Sequence, residues 1–453
     1  AGTGKQVNYT LTMNGAAADN YNLKYGGANS SGAFSTNDNT ITKRKVDVTF
    51  APVTKTYDMT ETNTSITGKV SSAEDAAVLN TDSAGLVNGS NVLTNLSTLN
   101  SQYGTGTGAS FTANPNAGTN KDVRYQGLSA QMGKTLGANA GNYEFDADGF
   151  GKGTINRATI NPGDVTFGTT NATKVYDGSR TVKYNENADP GAVKNYITRA
   201  MWNGNNVLGA FDVDTAEYTN KNVNGGASQN VIYKMKLNES NTNFQLGTTP
   251  LTANGTGVIT PKDVKATVKS TLSKVYDGTT TVLGAAKNAA GNVVANANDL
   301  IKLDGLINDG ATNVSTAVYA NKNAGTDNRT VNYTPAIDAA HAGNYRLVDG
   351  AGNAVTLPLA TNNNTITKRK VDVTFDPVTK SYDGTAANNT IAPKVSADNA
   401  AVLALDSSGN VSGTTITNLT GVTSEYGTLS GTTFTPDKNV GTKTVRYNGV
   451  DAA

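Results

Sequence analysis

Residues 41–58 read ITKRKVDVTFAPVTKTYD, and residues 366–383 read ITKRKVDVTFDPVTKSYD, so one stretch occurs twice with two changes. Looser copies read INPGDVTFGTTNATKVYDG from Ile160 and ITPKDVKATVKSTLSKVYDG from Ile259. The tyrosines near the ends of the four stretches are Tyr57, Tyr176, Tyr276 and Tyr382, at spacings of 119, 100 and 106 residues. Self-similarity at such spacings predicts a tandem array of structural repeats.

Two further blocks recur in the same order along the chain. One reads NAGTNKDVRYQG from Asn116 and NKNAGTDNRTVNYT from Asn321, and the other reads GNYEF from Gly141 and GNYRL from Gly343. Three ordered blocks indicate one structural unit. We expect the tail half of a truncated module at 1–40 and four modules at 41–159, 160–258, 259–365 and 366–453, the last one truncated. These four are called repeats 1 to 4.

The apolar pattern within each repeat has a period of two. Apolar and polar residues alternate over 46–50 and 371–375, and again over 123–125 and 331–333. Such alternation is typical of strands with one face on a core, and the Gly, Asn, Asp and Ser clusters between them indicate turns. The expected fold class is all-β, as a tandem array of roughly 100-residue β-sandwich modules. An immunoglobulin-like arrangement is favoured, and a β-grasp-like one is the alternative.

Two segments depart from the strand pattern. The stretch DPGAVKNYITRAMW over 189–202 places Pro190 in a first turn ahead of spaced apolar residues, which predicts one short helix. The stretch AEDAAVL from Ala73 predicts a helical turn. We therefore expect helices to be minor additions to the sheets.

Composition argues against several classes of function. The 453 residues include 37 Lys and Arg against 36 Asp and Glu, and a net charge of +1 excludes a polybasic nucleic-acid binder. There is no cysteine, and the single His341 and the single Trp202 offer little from which to build a hydrolase or a metal site. No run of eighteen apolar residues occurs, so membrane insertion is not expected. The sequence predicts a protein that is not an enzyme and that uses no cofactor or metal.

The Tyr-Asp-Gly block resembles a known family. KVYDGSR from Lys174, KVYDGTT from Lys274 and KSYDGTA from Lys380 are similar to the YDG and MBG (mostly-β, glycine-rich) repeats. Those repeats occur in very large bacterial surface and secreted proteins, including filamentous-haemagglutinin-like adhesins. The resemblance covers essentially the whole chain, although Met59 replaces the glycine in repeat 1. It implies an extracellular, non-catalytic role at a bacterial cell surface or in a secreted protein, and it implies no ligand.

The triplet also has a structural explanation. Glycine supplies a position with positive φ, aspartate bonds the backbone of its own turn, and tyrosine buries a ring whose hydroxyl needs a partner. The motif residues are Tyr57, Asp58, Tyr176, Asp177, Gly178, Tyr276, Asp277, Gly278, Tyr382, Asp383 and Gly384. One alternative is that Asp177, Asp277 and Asp383 bind cations at the module junctions. Others are a calcium loop in FDADGFGKG from Phe145 and lysine–asparagine isopeptide crosslinks.

Repetition favours a structural function, because a catalytic site is needed once whereas these features occur three or four times. We expect a structural stalk or filament-forming segment of a bacterial extracellular or surface adhesin. The alternative is a ligand-binding adhesive module that contacts a glycan or a host protein through exposed aromatic side chains. Repeat 2, with Trp202, is the atypical candidate for that role.

The expected partner is the chain itself. Repeat 4 has no GNY block and residues 1–41 supply one, so the head of one chain could complete the tail of the next by strand complementation into a fibre. An AGT- or VGT-type strand at both ends speaks for the alternative, in which the sequence is a window on a longer array. Glycan or host surfaces would be contacted through other parts, and nucleic acid is not an expected partner.

Overall fold

A computed structural model of the protein describes residues 1–29, 32–247, 250–407 and 409–450, and residues 451–453 of repeat 4 lie outside it. The described residues form two compact units. The first comprises 1–172, 182–217 and 230–256. The second comprises 173–181, 218–229 and the described residues from 257 onwards. The repeat boundaries given above stay predictions from the sequence.

Strands make up most of the regular structure, and the all-β fold class is confirmed. Residues 1–41 contain Gly2–Thr10, Lys24–Tyr25, Ala28–Asn29 and Ala33–Ile41. Residues 42–160 contain Arg44–Lys45, Val48–Phe50, Val53–Thr56, Gly68–Val70, Asn100–Thr105, Thr112–Ala113, Gly118–Gln126, Tyr143–Glu144, Gly149–Asn156 and Ala158–Ile160. Repeat 2 continues with Thr166–Thr169, Ala172–Val175, Ile197–Trp202, Asn205–Asn206, Phe211–Tyr218, Gln229–Leu237, Phe244–Leu246 and Leu251–Thr260.

The second half of the chain follows the same plan. Repeat 3 contains Lys262–Val268, Leu272–Val275, Lys287–Asn288, Ile301–Asp304, Thr316–Tyr319, Gly325–Thr334, Tyr345–Val348 and Leu359–Thr367. Repeat 4 contains Thr374–Phe375, Pro393–Lys394, Val411–Ser412, Thr415–Ile416, Thr423–Ser430, Thr433–Pro436 and Thr444–Asn448. Most of these strands are short, which agrees with the frequent turn residues between them.

Helices are few. The helical turn predicted at Ala73 is an α-helix over Ala73–Asp82, which the Ser72 hydroxyl caps by accepting from two backbone amides. A short helix also occurs in 189–202, but it spans only Pro190–Val193, and a 3-10 turn completes it. The remaining residues form a strand, because β-branched and aromatic side chains favour an extended backbone. Further α-helices span Leu128–Leu136, Ala297–Leu300 and Ala397–Asp406. Within the described part of the chain, no helix is both long and apolar enough to cross a bilayer.

The main sheets of repeats 1 and 3 share an arrangement. In repeat 1, Gly149–Asn156 lies between Gly118–Gln126, to which it is antiparallel, and Val53–Thr56, to which it is parallel. In repeat 3, Leu359–Thr367 takes the same place, antiparallel to Gly325–Thr334 and parallel to Leu272–Val275. A parallel pair between an early and a late strand does not belong to the antiparallel sheets of an immunoglobulin sandwich. The immunoglobulin-like arrangement is therefore not confirmed.

The alternating residues at 123–125 and 331–333 face the core as expected, and those at 371–375 are only half-buried. Val123 and Tyr125 are fully buried, as are Val331 and Tyr333. In repeat 1 the Phe50 ring stacks on the Tyr125 ring with the centroids 3.8 Å apart. These large aromatic side chains supply much of the buried apolar area in small cores of this kind.

Candidate functional site at the repeat junctions

The four Tyr-Asp blocks form the same turn. The Asp277 carboxylate oxygen Oδ1 accepts hydrogen bonds from the Thr279 amide and hydroxyl, each at 2.9 Å. Asp58, Asp177 and Asp383 accept from the amide two residues later at the same distance. The glycines that follow the aspartates have φ between 75° and 77° in repeats 2 to 4. This is the left-handed turn geometry that the triplet predicts.

A lysine three residues before each aspartate completes the turn, a role that was not predicted from the sequence. The Lys274 ammonium donates to Asp277 Oδ1 at 2.7 Å, to the Thr279 carbonyl at 2.8 Å and to the Thr281 carbonyl at 3.0 Å. Its Nζ also lies 5.4 Å from the centre of the Tyr319 ring. Lys274 is only 4 % exposed, so these groups replace the water that its charge has lost.

The other repeats contain the same cluster. Lys55, Lys174 and Lys380 each donate to the aspartate three residues later, at 2.6 Å, 2.7 Å and 2.9 Å. They lie over the rings of Tyr103, Tyr218 and Tyr426 in turn. The sequence carried a signal for this role, since Lys stands at the same distance before Tyr-Asp in every repeat.

The lysine changes the electrostatics of the turn. Burial acts to raise the pKa of Asp277, but the hydrogen bonds from Lys274 and Thr279 outweigh it, so this pKa lies below its ordinary value. In the more open repeat 4, hydrogen bonds from Lys380 and from the Thr385 amide and hydroxyl lower the pKa of Asp383 to about 2. Both carboxylates are therefore ionised at neutral pH, and each is paired with an ammonium group of its own turn.

The tyrosine of the block points out of its own repeat and contacts the next one. In the first unit, the Tyr57 ring meets the Phe244 ring edge to face, with the centroids 5.3 Å apart. It also lies parallel to the Trp202 ring at 6.2 Å. Burial in this pocket raises the pKa of Tyr57. The motif tyrosine of repeat 1 therefore packs against an aromatic cluster of repeat 2.

The junction between repeats 2 and 3, in the second unit, has the same design with a carboxylate added. The Tyr176 ring meets the Tyr345 ring edge to face at 5.5 Å. The hydroxyls of Tyr176 and Tyr345 donate to Asp309 Oδ2 at 2.8 Å and 2.7 Å. Burial acts to raise the pKa of Asp309, but hydrogen bonds from Tyr345, the Ala311 amide and Tyr176 bring it below its ordinary value.

At the junction between repeats 3 and 4, the tyrosine hydroxyl binds a carboxylate of the next repeat. The Tyr276 hydroxyl donates to Asp406 Oδ1, and the Lys322 ammonium donates to the same oxygen at 2.8 Å. The hydrogen bond to Asp406 raises the pKa of Tyr276. We call the contact of Tyr57, Tyr176 or Tyr276 with the following repeat the tyrosine clasp.

A second contact accompanies two of the clasps. The Asn243 side-chain oxygen accepts from the Ala117 amide of repeat 1 at 2.8 Å. The Asn344 oxygen accepts from the Val223 amide of repeat 2 at 2.9 Å. Asn243 and Asn344 each precede the aromatic residue that receives the tyrosine, so the GNY block, which reads TNF in repeat 2, supplies both contacts.

The fourth motif tyrosine differs from the other three. Tyr382 is 62 % exposed, whereas Tyr176 is 1 % exposed. Its Asp383 and Lys380 form the usual turn, and no later repeat lies among the described residues to receive the ring. The turn thus forms without a clasp.

The structure also bears on the alternatives left open by the sequence. Trp202 is 8 % exposed and lies in a junction, so it is not a surface aromatic residue. Asp148 of the FDADGFGKG stretch accepts a hydrogen bond from the Gly127 amide at 2.7 Å, which ties this stretch to the start of the helix Leu128–Leu136. Among the described residues, no group of three or more His, Cys, Asp or Glu side chains is placed to hold a metal ion.

Comparison with known proteins supports the family resemblance in part. The YDG domain family model matches residues 260–354, a range that includes Tyr276, Asp277 and Gly278. The chain therefore carries a YDG domain at these residues. A search of curated proteins gives no match.

Proposed function

We propose that this chain is a structural stalk or filament-forming segment of a bacterial extracellular or surface adhesin, and that it is not an enzyme. The observation that carries the proposal is the tyrosine clasp, which joins repeats 1 and 2 in one unit and repeats 2, 3 and 4 in the other. A contact that recurs at successive junctions couples neighbouring modules, and nearest-neighbour coupling is how repeat proteins obtain stability and stiffness.

Localisation at a bacterial cell surface or in the extracellular space is part of this proposal. The support is the resemblance of the Tyr-Asp-Gly blocks to surface-protein repeats and the YDG domain at 260–354. The absence of cysteine agrees with this, because the chain needs no oxidising step to fold outside the cell.

A ligand-binding adhesive module is the weaker candidate. It depended on surface aromatic residues in repeat 2, and Trp202 is instead packed against Tyr57 and Phe244. Among the motif tyrosines, Tyr176 is buried in its clasp and is equally unavailable to a glycan or a host protein, and Tyr57 and Tyr276 are half-buried in theirs. The aromatic residues therefore favour a role in the junctions.

Electron microscopy of the purified chain in dilute buffer tests the proposal. A stalk gives separate rods of uniform length, and a filament-forming segment gives uniform fibres many times longer. Particles that bend freely between repeats, or that collapse into compact globules, would contradict a structural role.

A further inference from the structure

The single histidine of the chain lies behind the junction between repeats 2 and 3. His341 Nδ1 is 2.6 Å from Asp338 Oδ1. The ring also packs against Gly310, where an added Cβ atom would lie 3.6 Å from His341 Nε2. The side chain is half-buried, so it can still exchange protons with solvent. His341 therefore connects the turn 338–344 to the loop 307–312.

These two segments make the contacts with repeat 2. The loop carries Asp309, whose Oδ2 accepts from the Tyr176 hydroxyl at 2.8 Å. The turn leads into Asn344, whose side-chain oxygen accepts from the Val223 amide at 2.9 Å. The next residue is Tyr345, whose ring receives the Tyr176 ring. A group that connects the two segments therefore controls how the clasp residues are held.

The Asp338 carboxylate fastens the loop to the turn. Its Oδ2 accepts from the Thr312 amide at 2.6 Å and from the Thr312 hydroxyl at 3.1 Å. The Asp338 amide in turn donates to the Thr312 carbonyl at 3.0 Å. Within the loop, Asp309 Oδ1 accepts from the Ala311 amide at 3.0 Å. A change in the charge beside Asp338 is therefore transmitted to Asp309 through a short, hydrogen-bonded loop.

The imidazole lies close to two carboxylates. The hydrogen bond to Asp338 raises the pKa of His341 above its ordinary value, and the negative charge of Asp309 raises it further. The hydroxyls of Tyr176 and Tyr345 face Asp309 as well. When the imidazole loses its proton, the charge-assisted bond to Asp338 becomes a weaker one, and both carboxylates lose a neighbouring cation.

The junction between repeats 3 and 4 has a permanent cation instead. Its Asp406 accepts from the motif tyrosine, as Asp309 does, and the Lys322 ammonium donates to Asp406 at 2.8 Å. This hydrogen bond raises the pKa of Lys322, so the ammonium stays charged at neutral pH. The second unit therefore contains two comparable carboxylates, one beside a titrating cation and one beside a permanent cation.

We propose that His341 makes the clasp between repeats 2 and 3 pH-sensitive, since its protonated form holds Asp309 and Tyr345 in place and its neutral form loosens them. The pKa of His341 in the folded chain lies above 6.5, so the stabilisation is complete below about pH 6.5 and disappears as the pH rises through the raised value. The inference rests on the proposed structural function and adds regulation to one of its junctions.

Nuclear magnetic resonance of the intact chain, labelled with ¹³C-histidine, tests the titration. The chain has one histidine, so one imidazole signal is observed. The midpoint of its titration should lie above 6.5, and Asp338→Asn should lower that midpoint. A midpoint at or below 6.5 would overturn the inference.

Hydrogen exchange, corrected for the intrinsic rate at each pH, tests the link to the clasp. Between about pH 5.5 and about pH 8.5, protection of 176–179 and of Tyr345–Val348 should fall at least about threefold. Protection of 276–279 should stay constant. His341→Gln should give the lower protection of 176–179 at both pH values. The matched variant Lys322→Gln should lower protection of 276–279, equally at both.

Two results would contradict the link. One is an equal change with pH at both junctions, and the other is a pH dependence at 176–179 that persists in His341→Gln. Circular dichroism shows whether this variant is folded, and the comparison of the two junctions in the wild type decides the question without it. Electron microscopy at about pH 5.5 still shows rods or fibres if only this inference fails, so its failure and that of the stalk are distinguishable.

Discussion

At the residue scale, Met59 occupies a position that the other three repeats give to glycine. Its φ is 70°, close to the 76° of Gly178 and the 75° of Gly278. A residue with a Cβ atom pays about 1–2 kcal/mol in this left-handed region. Repeat 1 therefore carries backbone strain that its relatives avoid.

Met59→Gly should stabilise the chain by about 1 kcal/mol, because the relief of strain exceeds the extra freedom of glycine in the unfolded state. Urea unfolding of repeat 1, followed by hydrogen exchange, measures this. The matched control is Gly384→Ala, where an added Cβ atom meets nothing within 4 Å, so that only backbone strain is introduced. Gly384→Ala should destabilise the chain. If Met59→Gly proves neutral or destabilising, Met59 does not carry the backbone strain assigned to it.

Lys274→Met should destabilise repeat 3 by about 3 kcal/mol, because it leaves the Asp277 carboxylate without its ammonium partner. The control is Lys380→Met in repeat 4. The Lys380 side chain is 24 % exposed, whereas that of Lys274 is 1 % exposed. Water can therefore solvate the Asp383 carboxylate when Lys380 is removed, and the loss of stability should be smaller. Hydrogen exchange of the flanking strands compares the two variants, and equal losses would show that burial of the lysine is unimportant.

Recurrence marks both the Tyr-Asp-Gly residues and the lysines before them in the sequence, but it does not show which groups the lysines bind. Lys174 alternates with Ala172 on the buried face of its strand, where a polar residue breaks the expected apolar pattern. Its partners follow three and five residues later and are brought to it by the turn. A pattern of apolar and polar residues records burial, and it contains no information on such compensation.

At the element scale, the clasp predicts a difference between equivalent tyrosines. Tyr176→Phe removes a hydrogen bond to the Asp309 carboxylate and should cost about 1.5 kcal/mol at the junction of repeats 2 and 3. Tyr382→Phe, with an exposed ring, should cost nothing measurable. Amide exchange of Tyr345–Val348 and of the turn at 176–179 reports the change. Equal effects of the two substitutions would show that the Tyr176 hydroxyl does not stabilise the junction.

The same junction should weaken in acid. The lowered pKa of Asp309 means that its ionised form stabilises the folded state above about pH 4, and that this contribution disappears as the pH falls through the lowered value. Asp309→Asn lacks the titrating group. The melting temperature of the wild type should therefore exceed that of Asp309→Asn at pH 6, and the gap should narrow at lower pH. A constant gap would show that Asp309 does not titrate with unfolding.

The sequence predicts strands better than it predicts their pairing. The strands at 123–125 and 331–333 follow from local alternation. The parallel pairing of Gly149–Asn156 with Val53–Thr56 joins residues about 100 positions apart and leaves no local trace. The helix Leu128–Leu136 buries Leu128, Met132 and Leu136 at a helical spacing. That signal was present in the sequence, within a stretch interrupted by glycine and polar residues.

At the scale of the whole molecule, contacts between neighbouring repeats couple the array. Each repeat completes its turn by itself, as repeat 4 does, and the tyrosine then adds a contact with the next repeat. Stability in such an array is a sum of repeat and interface terms. The clasps should therefore govern stiffness more strongly than they govern the folding of any single repeat.

The most direct test of whether the clasps govern stiffness is small-angle X-ray scattering. It compares the wild type with a triple variant that carries Tyr57→Ala, Tyr176→Ala and Tyr276→Ala. Circular dichroism shows whether the strands persist, and Tyr382→Ala is the matched control. If the clasps couple the repeats, the triple variant should scatter as a more flexible chain of folded repeats than the wild type and the control do. Scattering that is unchanged in the triple variant would contradict the coupling of repeats by tyrosine clasps.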